Sequence, residues 1–107
     1  MIKHLDEDKA LQILQTTPKV MVMFVANWCG SCRLFKPRFE KISNKPELSS
    51  VVFLCMHSED APKIRKLAGV NALPYFASFL NGSLLEARAT LREEGVFSMA
   101  KNLAETI

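Results

Sequence analysis

Apolar residues run unbroken from Val20 to Ala26, seven positions, with Lys19 before them and Asn27 after. A membrane helix needs about 20 such residues, so a block this short fits a strand buried on both faces. Val51–Met56 repeats the pattern and predicts a second buried strand. Between the two, Phe35, Phe39 and Ile42 recur at i, i+4 and i+7 with Leu34 beside them, the spacing of one helix face. Pro37 lies inside that helix, where it removes a backbone hydrogen bond and should bend the axis. Ahead of the first long strand, Ala10, Leu11 and Leu14 fall on one side of a helix. Asp6 or Asp8 is placed to cap it, and Thr16-Thr17-Pro18 stops it.

Further along, Asp60 is expected to cap a short helix with Ile64, Leu67 and Ala68 inward and Gly69 at its end. Tyr75–Leu80 and Ser83–Ala89 flank Asn81-Gly82, a pair suited to a type I′ turn, and read as a hairpin. Thr90-Leu91-Arg92-Glu93 has capping-box spacing ahead of a last helix marked by Val96, Ala100, Leu103 and Ile107. With Ile2–Leu5 as a short opening strand, the order is β-α-β-α-β-α-β-β-α. That order predicts a single α/β domain over residues 1–107, a mixed sheet of about five strands with about four helices on both faces.

Composition narrows the function classes. The chain has 107 residues, 49% of them hydrophobic, which suffices for one compact core. Its net charge is only +3, with Lys and Arg scattered, so neither nucleic acid nor a membrane surface is an expected partner. Three cysteines are too few for a disulfide scaffold. The acidic start, Met1–Asp8, offers no apolar stretch for a signal peptide. The expectation is a soluble monomer of a reducing, cytoplasmic compartment. Glu93, Glu94, Lys101 and Glu105 read as a solvated helix face.

The chemistry concentrates in Trp28-Cys29-Gly30-Ser31-Cys32-Arg33. Two thiols at this spacing close a small disulfide ring if the backbone turns there. A helix starting at the first cysteine supplies the turn, and its unpaired N–H groups favour thiolate over thiol. The thiolate is the form that attacks a disulfide. A zinc site is the competing reading, since Cys55 and His57 would complete four ligands. Those two, one residue apart on a strand, make a poor tetrahedral pair. Cys55 reads as a small buried apolar residue, or else as a third redox thiol beneath Cys32. His4 and His57 read as surface or strand-end contacts, His57 being at most a weak candidate for a proton relay.

With these residues in place the chain resembles the thioredoxin family. The match is carried by Ala26-Asn27-Trp28-Cys29-Gly30-Ser31-Cys32-Arg33, by Pro37, by Leu73-Pro74 ahead of a strand, and by Asn81-Gly82. The resemblance implies a thioredoxin fold and a thiol–disulfide oxidoreductase that reduces protein disulfides, serving electron transport and cell redox homeostasis. No bound cofactor is implied, and electrons would come from a separate NADPH-dependent flavoprotein reductase. Cys29 would be the exposed nucleophile and Cys32 the buried resolving thiol. Pro74 would be the family's cis-proline, facing the cysteines, with Leu73 offering its backbone to an extended substrate. Trp28, Gly30, Ser31, Leu73, Pro74 and Thr90 form the implied substrate-contacting set.

The departures carry as much information. Relatives place a buried Asp six residues before the first cysteine, where this chain has Met23, and Cys55 stands where many have Lys or Glu. Two polar positions have become apolar together, which avoids an unpaired buried charge and removes the obvious base for Cys32. Slow resolution, or water or a substrate group as base, is then expected. Ser31 replaces the motif's usual proline, a change that tunes redox potential. Thr90 replaces a groove glycine, which narrows the range of substrates. A binding module with vestigial turnover, and an oxidant or isomerase on the same fold, remain as alternative readings.

Overall fold

The computed structural model describes residues 1–107. Its strands are β1 (Ile2–His4), β2 (Lys19–Val25), β3 (Val52–His57), β4 (Tyr75–Leu80) and β5 (Ser83–Ala89). Its helices are α1 (Glu7–Thr16), α2 (Gly30–Ser43), α3 (Pro62–Ala68) and α4 (Glu93–Glu105). The strands form one sheet in the order β1-β3-β2-β4-β5. The first three neighbours are parallel, and β4 and β5 run antiparallel. This is the expected mixed sheet of five strands with four helices.

Central β2 is buried at every position from Val20 onward, because both of its faces are covered. Alternate residues go to opposite cores. Met21, Met23 and Val25 pack with Phe35, Phe39 and Ile42 of α2 and with Val96, Met99 and Leu103 of α4. Val20, Val22 and Phe24 pack with Ala10 and Leu14 of α1 and Ile64 and Ala68 of α3. Edge-to-face aromatic contacts fix α2 on the sheet, Phe35 to Phe76 at 5.2 Å and Phe39 to Phe53 at 5.5 Å between ring centres. Asn81 and Gly82 both take positive φ, 52° and 83°, as a type I′ turn demands.

Several local expectations are corrected. Leu67 is exposed rather than inward, and Leu34 and Ile107 are exposed as well. Leu34 lies a third of a turn off the Phe35–Phe39–Ile42 face, Ile64 and Ala68 take the inner face of the short α3, and Ile107 lies past the end of α4. Asp6 caps α1 through its bond from the Lys9 N–H, as one of the two candidates. Asp60 does not cap α3. The residue at that cap is Ala61, and the Glu7 carboxylate of α1 accepts instead from the Lys63 and Ile64 N–H groups, at 2.8 and 3.1 Å. Nor does Thr90 head α4. Its hydroxyl is used locally, accepting from the Arg92 N–H at 3.0 Å, so the helix starts at Glu93 without a side-chain cap.

Candidate active site

Leaving β2, the chain turns through Asn27 and Trp28 and enters α2 with Cys29 as its N-cap residue. The Cys29 carbonyl accepts the Arg33 N–H, opening the helical ladder, and its sulfur accepts the Cys32 N–H at 3.2 Å. A cysteine sulfur thus occupies the place of a Ser or Asp capping oxygen. The Ser31 hydroxyl adds a further contact to that sulfur at 3.4 Å. Cys29 and Cys32 are joined as a disulfide with their Cα atoms 5.3 Å apart, well inside the range such bonds need. One expectation is corrected here. Cys29 is only 5% exposed, scarcely more than Cys32 at 2%, because the disulfide folds its sulfur back onto the first helical turn.

The surroundings are more open. Trp28 is 72% exposed beside the disulfide. Gly30 is exposed, and a methyl group added to it would meet nothing within 4 Å. Phe24, Tyr75 and Ala89 pair across β2, β4 and β5, so Pro74 and Thr90 follow at the strand ends where β2 runs out toward Cys29. The Leu73–Pro74 peptide bond is cis. Leu73 is half-buried against the core that holds both cysteines, and neither its N–H nor its C=O makes a backbone hydrogen bond. Two residues not expected at the site join this surface. Exposed Leu34 and Leu91 border a groove of about 150 Å³ together with Ser31 and Arg38.

Beneath the disulfide the sheet is apolar. Met23 pairs with Cys55 on one side and Phe76 on the other, and all three are buried. Burial pushes the Cys55 thiol above its ordinary 9.0, opposed only by the nearby Lys36 cation. Cys55 is a free thiol, and no group of three or more His, Cys, Asp or Glu side chains comes together at metal-ligand spacing. Burial, with Lys36 and His57 nearby, lowers His4 below its ordinary 6.5. Behind Cys32 opens a cleft of about 320 Å³ that also takes in Asn27, Arg33, Lys36 and His57. The sequence held one signal for it: Lys36 follows Cys32 by four residues and so shares its helix face.

The sequence model of the thioredoxin family matches residues 2–102. The thioredoxin of Malassezia sympodialis is 33% identical over 79 residues, covering 74% of this chain and 75% of that protein. The thioredoxin of Equus caballus is 30% identical over 106 residues, 96% of this chain and 99% of its own length. The crystal structure of the Malassezia sympodialis thioredoxin superposes with a TM-score of 0.87 at 25% identity, covering 96% of this chain and 93% of that one. Fold, disulfide-forming cysteine pair and relatives agree: the chain belongs to the thioredoxin family and is a thiol–disulfide oxidoreductase, a reductase of protein disulfides.

Proposed function

We propose that Cys29 is the attacking sulfur and Cys32 the resolving one in a two-step reduction of disulfides in other proteins. The observation that carries this is the Cys29 sulfur at the N-cap of α2, accepting the Cys32 N–H. When the disulfide is open, the same N–H and the helix dipole favour Cys29 as thiolate. That thiolate attacks a substrate sulfur, a bond forms between them, and the other substrate sulfur leaves as thiolate and takes a proton. Cys32 then attacks Cys29, the mixed disulfide breaks, and the second substrate thiol departs. Two electrons have moved from the cysteine pair to the substrate.

Substrate is held by the surface around the sulfurs. Trp28 is a flat apolar rim, and Gly30 and Ser31 leave room above the ring. The unbonded N–H and C=O of Leu73 are free to pair with an extended segment. Pro74, without an N–H, sits beside that segment, and Thr90 bounds the groove. Electrons return to the pair from an NADPH-dependent flavoprotein reductase, and the protein works as a monomer in a reducing cytoplasm. Equilibration against glutathione buffers, with insulin reduction in parallel, tests the reading. A potential below that of the glutathione pool with catalysed insulin reduction is expected. Release of substrate without reduction marks a binding module, and a potential well above the pool marks an oxidant or isomerase.

A further inference from the structure

The two-thiol cycle requires Cys32 to lose a proton before it attacks, and the rung directly beneath it offers no acceptor. Met23 and Cys55 face each other there, both buried, one without a titratable group and the other a weaker acid than usual. Two rungs further toward the carboxyl ends of the same strands, past Phe24 and Met56, Val25 pairs with His57. His57 lies two residues beyond Cys55 and so shares its sheet face, the one covered by α2. It is half-buried, and it lines the same 320 Å³ cleft as Cys32. That volume exceeds the roughly 30 Å³ share of one water several-fold, and the lining is polar enough to hold a chain of them.

The imidazole is already oriented. His57 Nε2 lies 3.0 Å from Asn27 Oδ1. An amide oxygen only accepts, so Nε2 is the donor in this contact, and in the neutral ring Nδ1 is then free to accept a proton. Arg33 and Lys36 of α2 line this cleft, whereas His4 of β1, Asp6 and Glu7 at the start of α1, and Asp60 after β3 line a neighbouring pocket that His57 also borders. The two cations flanking Cys32 favour its thiolate, and the acidic groups lie on the far side of His57.

We propose that His57 is the proton acceptor for Cys32, through water in this cleft, in place of the buried carboxylate that Met23 has displaced. The inference rests on the two-step cycle above. In the resolving step the Cys32 proton passes by water to His57 Nδ1, and the Cys32 thiolate bonds to Cys29 Sγ. The bond from Cys29 to substrate breaks, and the departing thiolate takes the proton back from His57 or from solvent. Protons and electrons balance without another reactant. A half-exposed imidazole does this work without a charge buried in the core, which explains how positions 23 and 55 both became apolar.

The test mixes the reduced protein with a peptide carrying one internal disulfide, quenches with acid, and follows the peptide adduct on Cys29 by mass spectrometry across pH. His57→Gln should lengthen the adduct's lifetime on the order of tenfold near neutral pH, and the gap should close in alkali, where hydroxide ionises Cys32. Imidazole added to His57→Ala should shorten the lifetime again, a recovery that a purely structural role does not give. If His57→Gln lacks the native circular dichroism spectrum, Asn27→Ala is read in its place, with a slower resolving step expected. An adduct that resolves in the variant at the wild-type rate and with the wild-type pH profile overturns the assignment of His57. A wild-type protein that forms no adduct and reduces no peptide overturns the two-thiol cycle itself.

Discussion

Cys55 shows how one side chain is governed by its rung. Its neighbours across the sheet are Met23 and His4, and it is 2% exposed. Burial raises its pKa, because the low-dielectric surroundings disfavour the thiolate. An acid whose folded pKa is raised gives up its proton more readily when unfolded. The native state is therefore undisturbed below the ordinary 9.0 and loses stability as pH climbs from there toward the raised value. Denaturation curves at pH 8 and pH 10 should show a decline that Cys55→Ala lessens; an equal decline in both proteins refutes it. Alkylation of the reduced protein at neutral pH should label Cys29 and leave Cys55 untouched until denaturant is added. The chemistry of Cys29 and Cys32 was legible in the sequence because their spacing is local. The exposure of Cys29 was not, because it depends on how the closed disulfide folds back onto α2.

At the scale of elements, strands and helix faces followed from periodicity, whereas caps that cross between elements did not. Both hairpin strands, Tyr75–Leu80 and Ser83–Ala89, fall where the Asn81-Gly82 turn between them puts them. The start of α3 is the counterexample. Pro62 has no N–H to satisfy, and the next two N–H groups are served by Glu7, 56 residues before Lys63. No local reading of Asp60 reaches that partner. Glu7 also ties α1 to α3 on the face away from the disulfide. Glu7→Ala should therefore cost about 1 kcal/mol in urea unfolding, the usual loss for a helix cap. Asp60→Ala, an exposed change with no bond to break, should stay within about 0.5 kcal/mol. Equal effects from the two would show that α3 draws no stability from the longer-range cap.

For the molecule as a whole, the sheet is a partition between two cores with unequal duties. The side under α2 and α4 contains Cys29 and Cys32, and the side under α1 and α3 contains neither. Phe39 anchors the first side, meeting Phe53 of β3 and Phe76 of β4 with ring centres 5.5 Å away in each case. Ile64 anchors the second and is fully buried. Truncating either leaves a cavity, and each should lose about 2–5 kcal/mol of stability. Their chemical consequences should diverge. A cavity under α2 loosens the helix whose first turn directs the Cys32 N–H at the Cys29 sulfur, so it weakens the device that favours the thiolate. Phe39→Ala should therefore raise the pKa of Cys29, read from the pH dependence of its alkylation rate, whereas Ile64→Ala should leave that titration in place. If both variants shift it alike, the two cores communicate through the sheet. The attacking sulfur is then tuned by the stability of the entire fold rather than by the seating of one helix.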